Sequence, residues 1–330
     1  MSLIRVTAVG LCGSDLHWFA DGGIGDAGLS RPLALGHEIA GVVEQGPLAG
    51  TRVAADPAWP CGSCDQCLAG NRNLCPAVRF AGHGENDGGL RELMAWPDHL
   101  LHQLPESRSD ADGAMLEPLG VALHAMDLGR PRLGECVVVV GCGPIGLCAV
   151  QLARAAGADR VIAVEPLAHR RELAARLGAD VVLEPGPHVG AAVLDTTDGR
   201  GAGLVIEVAG NDAAVDVSVE CARPGGVVVL VGIPDDDTTT FRASVARRKG
   251  LTLKLTRRMK EMYPRTTRLV DRGVVDMRSL VSHTFPLAQA AEAFAVAQAR
   301  TGLKVILEPS SAIGPEDAEG GRHLANGAAL

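Results

Sequence analysis

The pattern of hydrophobic and polar positions along the chain changes near Cys136. Before it, short apolar stretches such as I-A-G-V-V (39–43) and T-R-V-A-A-D (51–56) are separated by turn-forming residues, which predicts strands of an antiparallel sheet. From V-V-V-V (137–140) onward, wholly apolar runs alternate with helical patterns, which predicts a parallel sheet covered on both faces. The predicted elements after that point are helices over 145–156, 168–177, 264–271 and 287–299, and strands over 161–165, 180–183, 204–208, 227–232 and 304–307.

Composition narrows the possible partners. The 330 residues include 31 Lys and Arg against 39 Asp and Glu, a formal charge of −8, with no basic run. This balance gives no reason to expect nucleic acid or an anionic membrane as partner. No apolar run approaches the ~18 residues of a membrane span, and the first residues do not resemble a signal peptide. We therefore expect a cytoplasmic protein.

Four cysteines stand close together as Cys61-x2-Cys64-x2-Cys67-x7-Cys75. In a chain without an export signal, such crowding favours a metal over disulfides. Four thiolates at these spacings can surround one structural zinc tetrahedrally. An iron–sulfur cluster is the alternative, because Cys75 is followed by proline, but in ferredoxins the last spacer is about three residues. The spacing favours zinc.

A glycine-rich turn follows the V-V-V-V run. Gly141, Gly143 and Gly146 form G-x-G-x-x-G with Pro144 and Ile145, between a predicted strand and a predicted helix. Such glycines allow the backbone to approach a pyrophosphate at the helix N-terminus. Glu165 ends the next strand about 20 residues on, where a carboxylate binds the adenosine ribose and disfavours a 2′-phosphate. The pattern therefore favours NAD, although Arg170 and Arg171 leave NADP open.

Two further motifs contain candidate ligands for a second metal. The segments C-G-S-D-L-H (12–17) and G-H-E (36–38) supply Cys12, His37 and Glu38, a set that would leave a catalytic zinc one open position. The two anionic ligands would balance the charge of the ion. Lone cysteines and histidines are also common in purely structural roles, so the residues alone leave both readings open. Glu117, within the apolar M-L-E-P-L-G (115–120), is either a buried acid facing a metal or hydroxyl, or a surface acid that caps a turn.

Taken in order, these motifs resemble the zinc-dependent medium-chain dehydrogenases, most closely the sorbitol (L-iditol) dehydrogenase branch of polyol dehydrogenases. The segments that carry the resemblance are V-G-L-C-G-S-D-L-H-W-F-A-D-G-G-I-G, L-G-H-E-I-A-G-V-V, M-L-E-P-L-G-V-A-L-H-A, V-V-G-C-G-P-I-G-L and L-V-S-H-T-F-P-L-A-Q-A-A-E-A-F. The resemblance implies an α/β fold with a mostly-β GroES-like catalytic domain and a Rossmann domain with a doubly wound parallel sheet. The implied ranges are 1–120 for the catalytic domain, 121–258 for the Rossmann domain, 259–308 for a return to the catalytic domain and 309–330 for a disordered tail.

The resemblance also implies roles for individual residues. Cys12, His37 and Glu38 would hold a catalytic zinc, with Glu117 as an intermittent ligand or an acceptor for substrate hydroxyls. Ser14 would pass the alcohol proton toward solvent, with His17 as a later relay member or a structural residue. The remaining implied positions are Trp18 and Phe80 at the substrate, Val231, Gly232 and Ile233 at the nicotinamide, and Arg258 at cofactor or substrate. Arg170, near Glu165, is a further candidate at the cofactor from its position in the sequence.

One departure from the family concerns the beginning of the chain. Relatives carry about two more short strands before the C-G-S-D segment. Either the start of this sequence is misassigned, or the absence of these strands leaves a sheet edge unpaired and loosens the catalytic zinc site.

The predicted function is zinc-dependent oxidation of a secondary alcohol of a polyol, sugar alcohol or cyclitol to a ketone, with NAD as hydride acceptor. Two zinc ions per chain, a small-molecule substrate and a homo-oligomer (tetramer or dimer) are expected. The alternatives are an amino-alcohol dehydrogenase resembling L-threonine 3-dehydrogenase, and a non-catalytic NAD-binding protein that keeps only the four-cysteine zinc.

Overall fold

The computed structural model describes residues 1–25 and 27–310. Its strands are β1 (Ser2–Gly10), β2 (Gly23–Ile24), β3 (Ala27–Gly28), β4 (Glu38–Gln45), β5 (Arg52–Ala55), β6 (Ala58–Trp59), β7 (Arg79–Phe80), β8 (Leu93–Trp96), β9 (Leu101–Gln103), β10 (Cys136–Val140), β11 (Arg160–Val164), β12 (Val181–Leu183), β13 (Ala202–Glu207), β14 (Ala222–Leu230), β15 (Thr252–Leu255), β16 (Val281–Pro286) and β17 (Lys304–Glu308).

The α-helices are distributed along the whole described chain. They are α1 (Gly13–Asp21), α2 (Asp65–Leu68), α3 (Asp110–Ala114), α4 (Leu116–Gly129), α5 (Pro144–Ala155), α6 (Ala168–Arg176), α7 (Val189–Thr196), α8 (Asp212–Cys221), α9 (Ala243–Lys249), α10 (Tyr263–Asp271) and α11 (Ala290–Ala299). Within the described residues, no helix combines the length and apolarity needed to cross a bilayer.

The larger sheet joins the two ends of the described chain. Its order is β16-β17-β1-β4-β5-β9, with β8 also paired to β1. Strand β1 has a neighbour on each side along its length: β4 on one, and β8 and then β17 on the other. A core of aliphatic side chains and Trp96 forms between these strands. This sheet carries the segments that precede and follow the cofactor-binding half.

The smaller sheet is parallel throughout, in the order β12-β11-β10-β13-β14-β15. Its central strand β10 is apolar along its whole length because helices cover both faces of the sheet, and the side chains of Val137, Val138 and Val139 are completely buried. The strand order reverses between β10 and β13, and ligands of such folds bind in the crevice at that point. The prediction of a doubly wound sheet is confirmed.

Several details differ from the predicted elements. Strand β14 begins at Ala222 rather than at residue 227, because Ala222 pairs with Ala202 before a register shift. Helices α7 and α9 were not among the predicted elements. Helix α4 runs through the predicted domain boundary between residues 120 and 121. The predicted disordered tail lies outside the described residues from position 311 onward, and the domain ranges themselves stay a prediction.

Candidate active site

The glycine-rich turn lies where β10 ends and α5 begins. Gly141 has φ +96°, a conformation that side chains disfavour, and a Cβ on Gly146 would lie 1.9 Å from the Gly141 carbonyl oxygen. Both positions therefore require glycine. Pro144 is the first residue of α5, where its fixed φ suits a helix start. The turn leaves the N-terminus of α5 open toward the crevice.

Glu165 supports this turn from the neighbouring strand end. One of its carboxylate oxygens accepts the Cys142 N–H at 2.7 Å and the other accepts the Leu167 N–H at 3.1 Å. Arg170 also reaches the crevice and donates to the Gly302 carbonyl at 3.0 Å. Arg171 turns away toward Glu184 and nearby backbone carbonyls. Arg170 and Arg171 were the two residues that left NADP possible as the cofactor. Of these two, only Arg170 faces the crevice.

A cleft of about 960 Å³ runs from this turn to the candidate zinc ligands. Its lining includes Gly141, Gly143, Pro144, Ile145, Glu165 and Arg170 at one end and Cys12 and Glu38 at the other. A dinucleotide is long enough to need such a cleft, and the side chains assigned to it lie along one surface. The cleft thus connects the predicted cofactor residues with the predicted metal ligands.

Val231, Gly232 and Ile233 follow β14 at the same edge of the sheet, but they do not line this cleft in the described structure. Their backbone is supported by Glu207, a 1% exposed residue at the end of β13. The Glu207 carboxylate accepts the N–H groups of Ala209 and Gly210 at 2.7 Å each. Ile233 is 53% exposed. Glu207 was not identified from the sequence.

Three candidate ligand atoms converge at the far end of the cleft. One atom each from Cys12, His37 and Glu38 lies within 4.8 Å of the others. Cys12 precedes α1, whereas Glu38 begins β4 opposite Gly10. A Cβ on Gly10 would lie 2.0 Å from a Glu38 carboxylate oxygen, so the glycine provides the space that the carboxylate occupies. A thiolate, an imidazole and a carboxylate at these separations fit a zinc ion with one open position.

Asp15 connects the two segments that carry these ligands. Its carboxylate accepts the Cys12 N–H at 2.9 Å and the Gly36 N–H at 3.0 Å, and lies 3.5 Å from Nδ1 of His37. Burial alone would lower the pKa of His37, but Asp15 and Cys12 raise it well above its ordinary value. Surroundings that stabilise a positive imidazole also favour a cation beside it. The contact of Asp15 with Nδ1 would leave Nε2 of His37 as the nitrogen available to a metal.

Lys304 places a positive charge at the same site. Its Nζ lies 2.6 and 2.7 Å from the two Glu38 carboxylate oxygens and donates to the Leu11 carbonyl at 2.8 Å. Burial by itself would lower the pKa of Lys304, but Glu38 raises it. The charges of Lys304 and Asp15 offset each other, which leaves Cys12 and Glu38 to balance a divalent ion. A carboxylate has lone pairs enough for both the lysine and a metal.

An aromatic and cationic wall stands next to His37. Phe80 lies 5.3 Å from His37 between ring centroids, and the Arg258 guanidinium lies 3.7 Å from the Phe80 centroid. His83 contacts the edge of Trp18 at 5.0 Å. Burial, together with the charge of Arg258, lowers the pKa of His83 to about 4, so it is neutral at pH 7. The predicted substrate residues Trp18 and Phe80 are thus brought together.

Glu117 lies in the first turn of α4 and is 4% exposed. The interpretation of Glu117 as a surface acid that caps a turn is therefore wrong, because the first turn of α4 packs into the core. Glu117 is not among the three converging ligand residues. Burial raises its pKa to about 7, with the charge of Glu38 adding to the shift and His37, Lys304 and Arg258 opposing it. A carboxyl group in that range can donate or accept a hydrogen bond near neutrality.

The two predicted relay residues lie on α1. Ser14 is half-buried, two residues beyond Cys12. Nδ1 of His17 lies 3.4 Å from Asp21, and its Nε2 lies 3.6 Å from Asp235. His17 is half-buried and stands between these two carboxylates. Among the described residues, the hydrogen bond of the His17 ring is to Asp21 and not to Ser14.

The four-cysteine lobe forms a second convergent set. One sulfur each from Cys61, Cys64, Cys67 and Cys75 lies within 4.8 Å of the others, and the sulfurs of Cys61 and Cys67 are 4.0 Å apart. Tetrahedral zinc with bonds of about 2.3 Å separates its sulfurs by roughly 3.8 Å. Backbone N–H groups of Ser63 and Cys64 lower the pKa of Cys61 to about 6, which favours the thiolate that a metal requires. The lobe fits one zinc ion.

Comparison with known proteins places this geometry in a family. A model described as "Zinc-binding dehydrogenase" matches residues 144–272, and one described as "Alcohol dehydrogenase GroES-like domain" matches residues 1–106. The "Probable D-xylulose reductase A" of Aspergillus clavatus is 34% identical over 92% of this chain and 88% of its own length, and the sorbitol dehydrogenase of Macaca fascicularis is 34% identical over 93% and 88%. The chain belongs to the zinc-dependent medium-chain alcohol dehydrogenase family.

A solved structure agrees with this assignment. L-idonate 5-dehydrogenase from Escherichia coli matches with a TM-score of 0.86 at 29% identity, over 93% of this chain and 90% of that one. The GroES-like and Rossmann fold class is confirmed, and so is the class of enzyme, an oxidoreductase with zinc and NAD as cofactors.

Sequence reasoning overlooked several residues of this dehydrogenase's site. Asp15 stands inside the C-G-S-D motif, and its place three residues after Cys12 is a capping-box signal that was available. Lys304 begins the apolar strand β17, where a lysine is expected to face solvent. His83 lies in a polar loop with no distinguishing pattern. Only the folded chain reveals the last two.

Proposed function

We propose that this dehydrogenase oxidises a secondary hydroxyl of a polyol, sugar alcohol or cyclitol to a ketone with NAD. The observation that carries the proposal is the group of polar side chains beside the Cys12, His37 and Glu38 set. Glu117, Arg258 and His83 offer hydrogen bonds there, whereas a pocket for simple alcohols needs only apolar walls.

Cys12, His37 and Glu38 are the proposed ligands of a catalytic zinc, and the four cysteines of the lobe are those of a structural zinc. When bound, zinc supplies a Lewis acid for the alcohol oxygen, and the nicotinamide accepts hydride. Asp15 holds the His37 ring, and Lys304 limits the negative charge of the ligand set. Glu165 and the glycine-rich turn hold the cofactor, while Gly232 and its neighbours flank its reactive end.

Ser14 and His17 are proposed to move the alcohol proton. The Ser14 hydroxyl can accept one proton and donate another, and Ser14 stands on α1 two residues after Cys12. The His17 ring lies 3.4 Å from Asp21 and 3.6 Å from Asp235, carboxylates to which it can pass the proton on. Trp18 and Phe80 exclude water from the carbon that is oxidised, and Glu117 and Arg258 bind further hydroxyls of the substrate.

The proposal extends to the assembly of the enzyme and its location in the cell. We infer a homo-oligomeric enzyme of the cytoplasm that acts on a small molecule. Size-exclusion chromatography with light scattering tests the oligomeric state directly.

Elemental analysis of protein purified without added metal is the first test, and we expect two zinc ions per chain. A substrate panel with NAD then compares xylitol, sorbitol and myo-inositol with 2-butanol and L-threonine. At least one polyol should be preferred, and a higher kcat/KM for threonine than for every polyol would overturn the proposal.

The variant Glu117→Ala sharpens the panel. It should lower kcat/KM for the preferred polyol by about 30-fold or more and for 2-butanol far less, since only the polyol loses a hydrogen-bond partner. Asp127→Ala is a matched control, because this acid lies on the same helix but pairs with Arg265 at the surface. Equal losses for both alcohols would place Glu117 outside the polyol site.

A further inference from the structure

Asn73 is buried in the four-cysteine lobe, two residues before the Cys75 ligand, and is 3% exposed. Its neighbour Leu74 is 46% exposed, so burial at this position is specific rather than a property of the whole lobe. The Asn73 side-chain amide donates to the Arg257 carbonyl at 2.9 Å and lies 3.5 Å from Nε2 of His124. A lobe near the surface thus contacts a backbone oxygen 184 residues along the chain.

The residue after that carbonyl has an unusual conformation. Arg258 has φ +49°, in the left-handed region that non-glycine residues seldom adopt. It belongs to an irregular segment between β15 and α10. The segment is held by the Thr256 N–H, which donates to the Leu230 carbonyl at 2.9 Å, and by Met259, which packs against Gly120. Such backbone persists where surrounding contacts fix it. The Asn73 bond supplies one of those contacts immediately before Arg258.

The Arg258 side chain leads from this segment to the active site. Its guanidinium covers the Phe80 ring, and Phe80 packs against the predicted zinc ligand His37. The charge of Glu117 also acts on the Arg258 guanidinium and opposes the lowering of its pKa by burial. A change in the Arg258 backbone would therefore move the group that faces the substrate, without altering any of the proposed ligands of the catalytic zinc.

We propose that Asn73 is a positioning residue that fixes Arg258 for the substrate, so that the four-cysteine lobe supports substrate affinity. The inference rests on the proposed function for the role of Arg258. The four cysteines would hold a metal that keeps the chain before Cys75 in place. Asn73 holds the Arg257 carbonyl, and Arg258 keeps its left-handed backbone and its stacking on Phe80. Asn73 itself touches neither substrate nor cofactor.

The decisive experiment is a double-mutant cycle of Asn73→Leu and Arg258→Ala in the zinc-loaded enzyme. Asn73→Leu alone should raise KM for the preferred polyol about tenfold, change kcat less than about twofold and leave 2-butanol turnover unaffected. In the Arg258→Ala background the same substitution should change the polyol KM less than about twofold. A tenfold rise in both backgrounds, or an equal effect on both alcohols, would overturn the proposal.

Asn71→Leu is the matched control, because Asn71 lies in the same lobe and its side-chain amide donates to the Gln66 side chain at 3.4 Å, within the lobe. It should leave the polyol KM unchanged. Asn73→Ser replaces Asn73→Leu if the leucine variant does not fold, since serine removes the long amide without adding apolar bulk. A tenfold KM rise in Asn71→Leu would assign the effect to general loosening of the lobe and refute a specific role.

A second measurement needs no substrate. Amide hydrogen exchange of the full-length enzyme should become at least about tenfold faster at residues 257–260 in Asn73→Leu, and stay unchanged in Asn71→Leu. Unchanged exchange at 257–260 would refute the positioning role. If the wild type oxidises no polyol, the proposed function fails, and the exchange result still decides whether Asn73 holds this segment.

Discussion

The two convergent ligand sets of this dehydrogenase differ in how they are built. The four cysteines of the lobe come from one short segment, and Cys61 is exposed. Cys12 and His37 come from separate segments that Asp15 holds together, and Lys304 reaches Glu38 from β17 at the other end of the described chain. Local spacing is enough to bring the first set together, whereas the second exists only once the sheet around β1 has formed.

This difference indicates which part of the molecule each metal site depends on. A local site gains much of its order from the ion, so metal binding and folding of the lobe are coupled. The catalytic set is preorganised by buried charged groups, and these charges must be balanced even when no ion is bound. We therefore expect the catalytic set to be sensitive to its supporting charges, and the lobe to be sensitive to loss of its metal.

The largest effect is expected from Cys12→Ser. It removes a thiolate ligand, and turnover should fall by about 1,000-fold or more because Lewis-acid assistance amounts to several kcal/mol. NADH titration by fluorescence should still give a Kd within about twofold of the wild type, and the lobe should keep its zinc. Cys136→Ser, outside both ligand sets, is the control. Substantial turnover in Cys12→Ser would contradict the assignment of one ligand set as catalytic and the other as structural.

Lys304→Met tests the charge balance of the buried set. Without zinc, Glu38 loses its buried partner, and the free energy of unfolding should fall by about 3 to 5 kcal/mol. With zinc bound, the loss should be smaller, because the ion also neutralises Glu38. Denaturation of the metal-free and zinc-loaded forms measures both values. Lys254→Met, whose ammonium donates to the Leu128 backbone carbonyl, is the control. Equal losses with and without zinc would contradict the argument from the Lys304–Glu38 pair.

Asp15→Asn should weaken zinc at the catalytic set about 10- to 100-fold, since partners of a ligating histidine typically contribute that much to affinity. Competition with a chromophoric chelator measures it, and zinc in the lobe should be unaffected. Asp21→Asn, further along α1, should change neither affinity. A loss of equal size at both zinc sites would show that Asp15 acts on the fold rather than on His37.

The smallest effect on turnover is expected from Cys64→Ser. One zinc per chain should be lost, and kcat should fall less than about threefold because the catalytic set keeps its ligands. The polyol KM should nevertheless rise about tenfold, through the release of Asn73. Elemental analysis and steady-state kinetics on the same preparation give both numbers. A fall in kcat as large as that in Cys12→Ser would remove the contrast between the two sites.

Patterns that are local in sequence were predictable from it. The parallel sheet followed from apolar runs that alternate with helical patterns, and the turn at Gly141 from a strand, three glycines and a helix in succession. The spacing of the four cysteines likewise predicted a set that the structure brings together. Helix α7 and the early start of β14 were not predicted, since glycines and a proline interrupt those segments and only tertiary contacts overcome them.

The sequence by itself determined the fold class, the dinucleotide-binding turn and the four-cysteine set, because each rests on residues that interact within one supersecondary unit. Tertiary structure alone decided that Glu117 is buried, that Lys304 pairs with Glu38, and that Asn73 reaches the carbonyl before Arg258. These contacts join residues far apart in the chain, and their energies depend on burial, which no local pattern encodes. A lysine at the head of an apolar strand predicts exposure, and only a buried carboxylate facing it reverses that expectation.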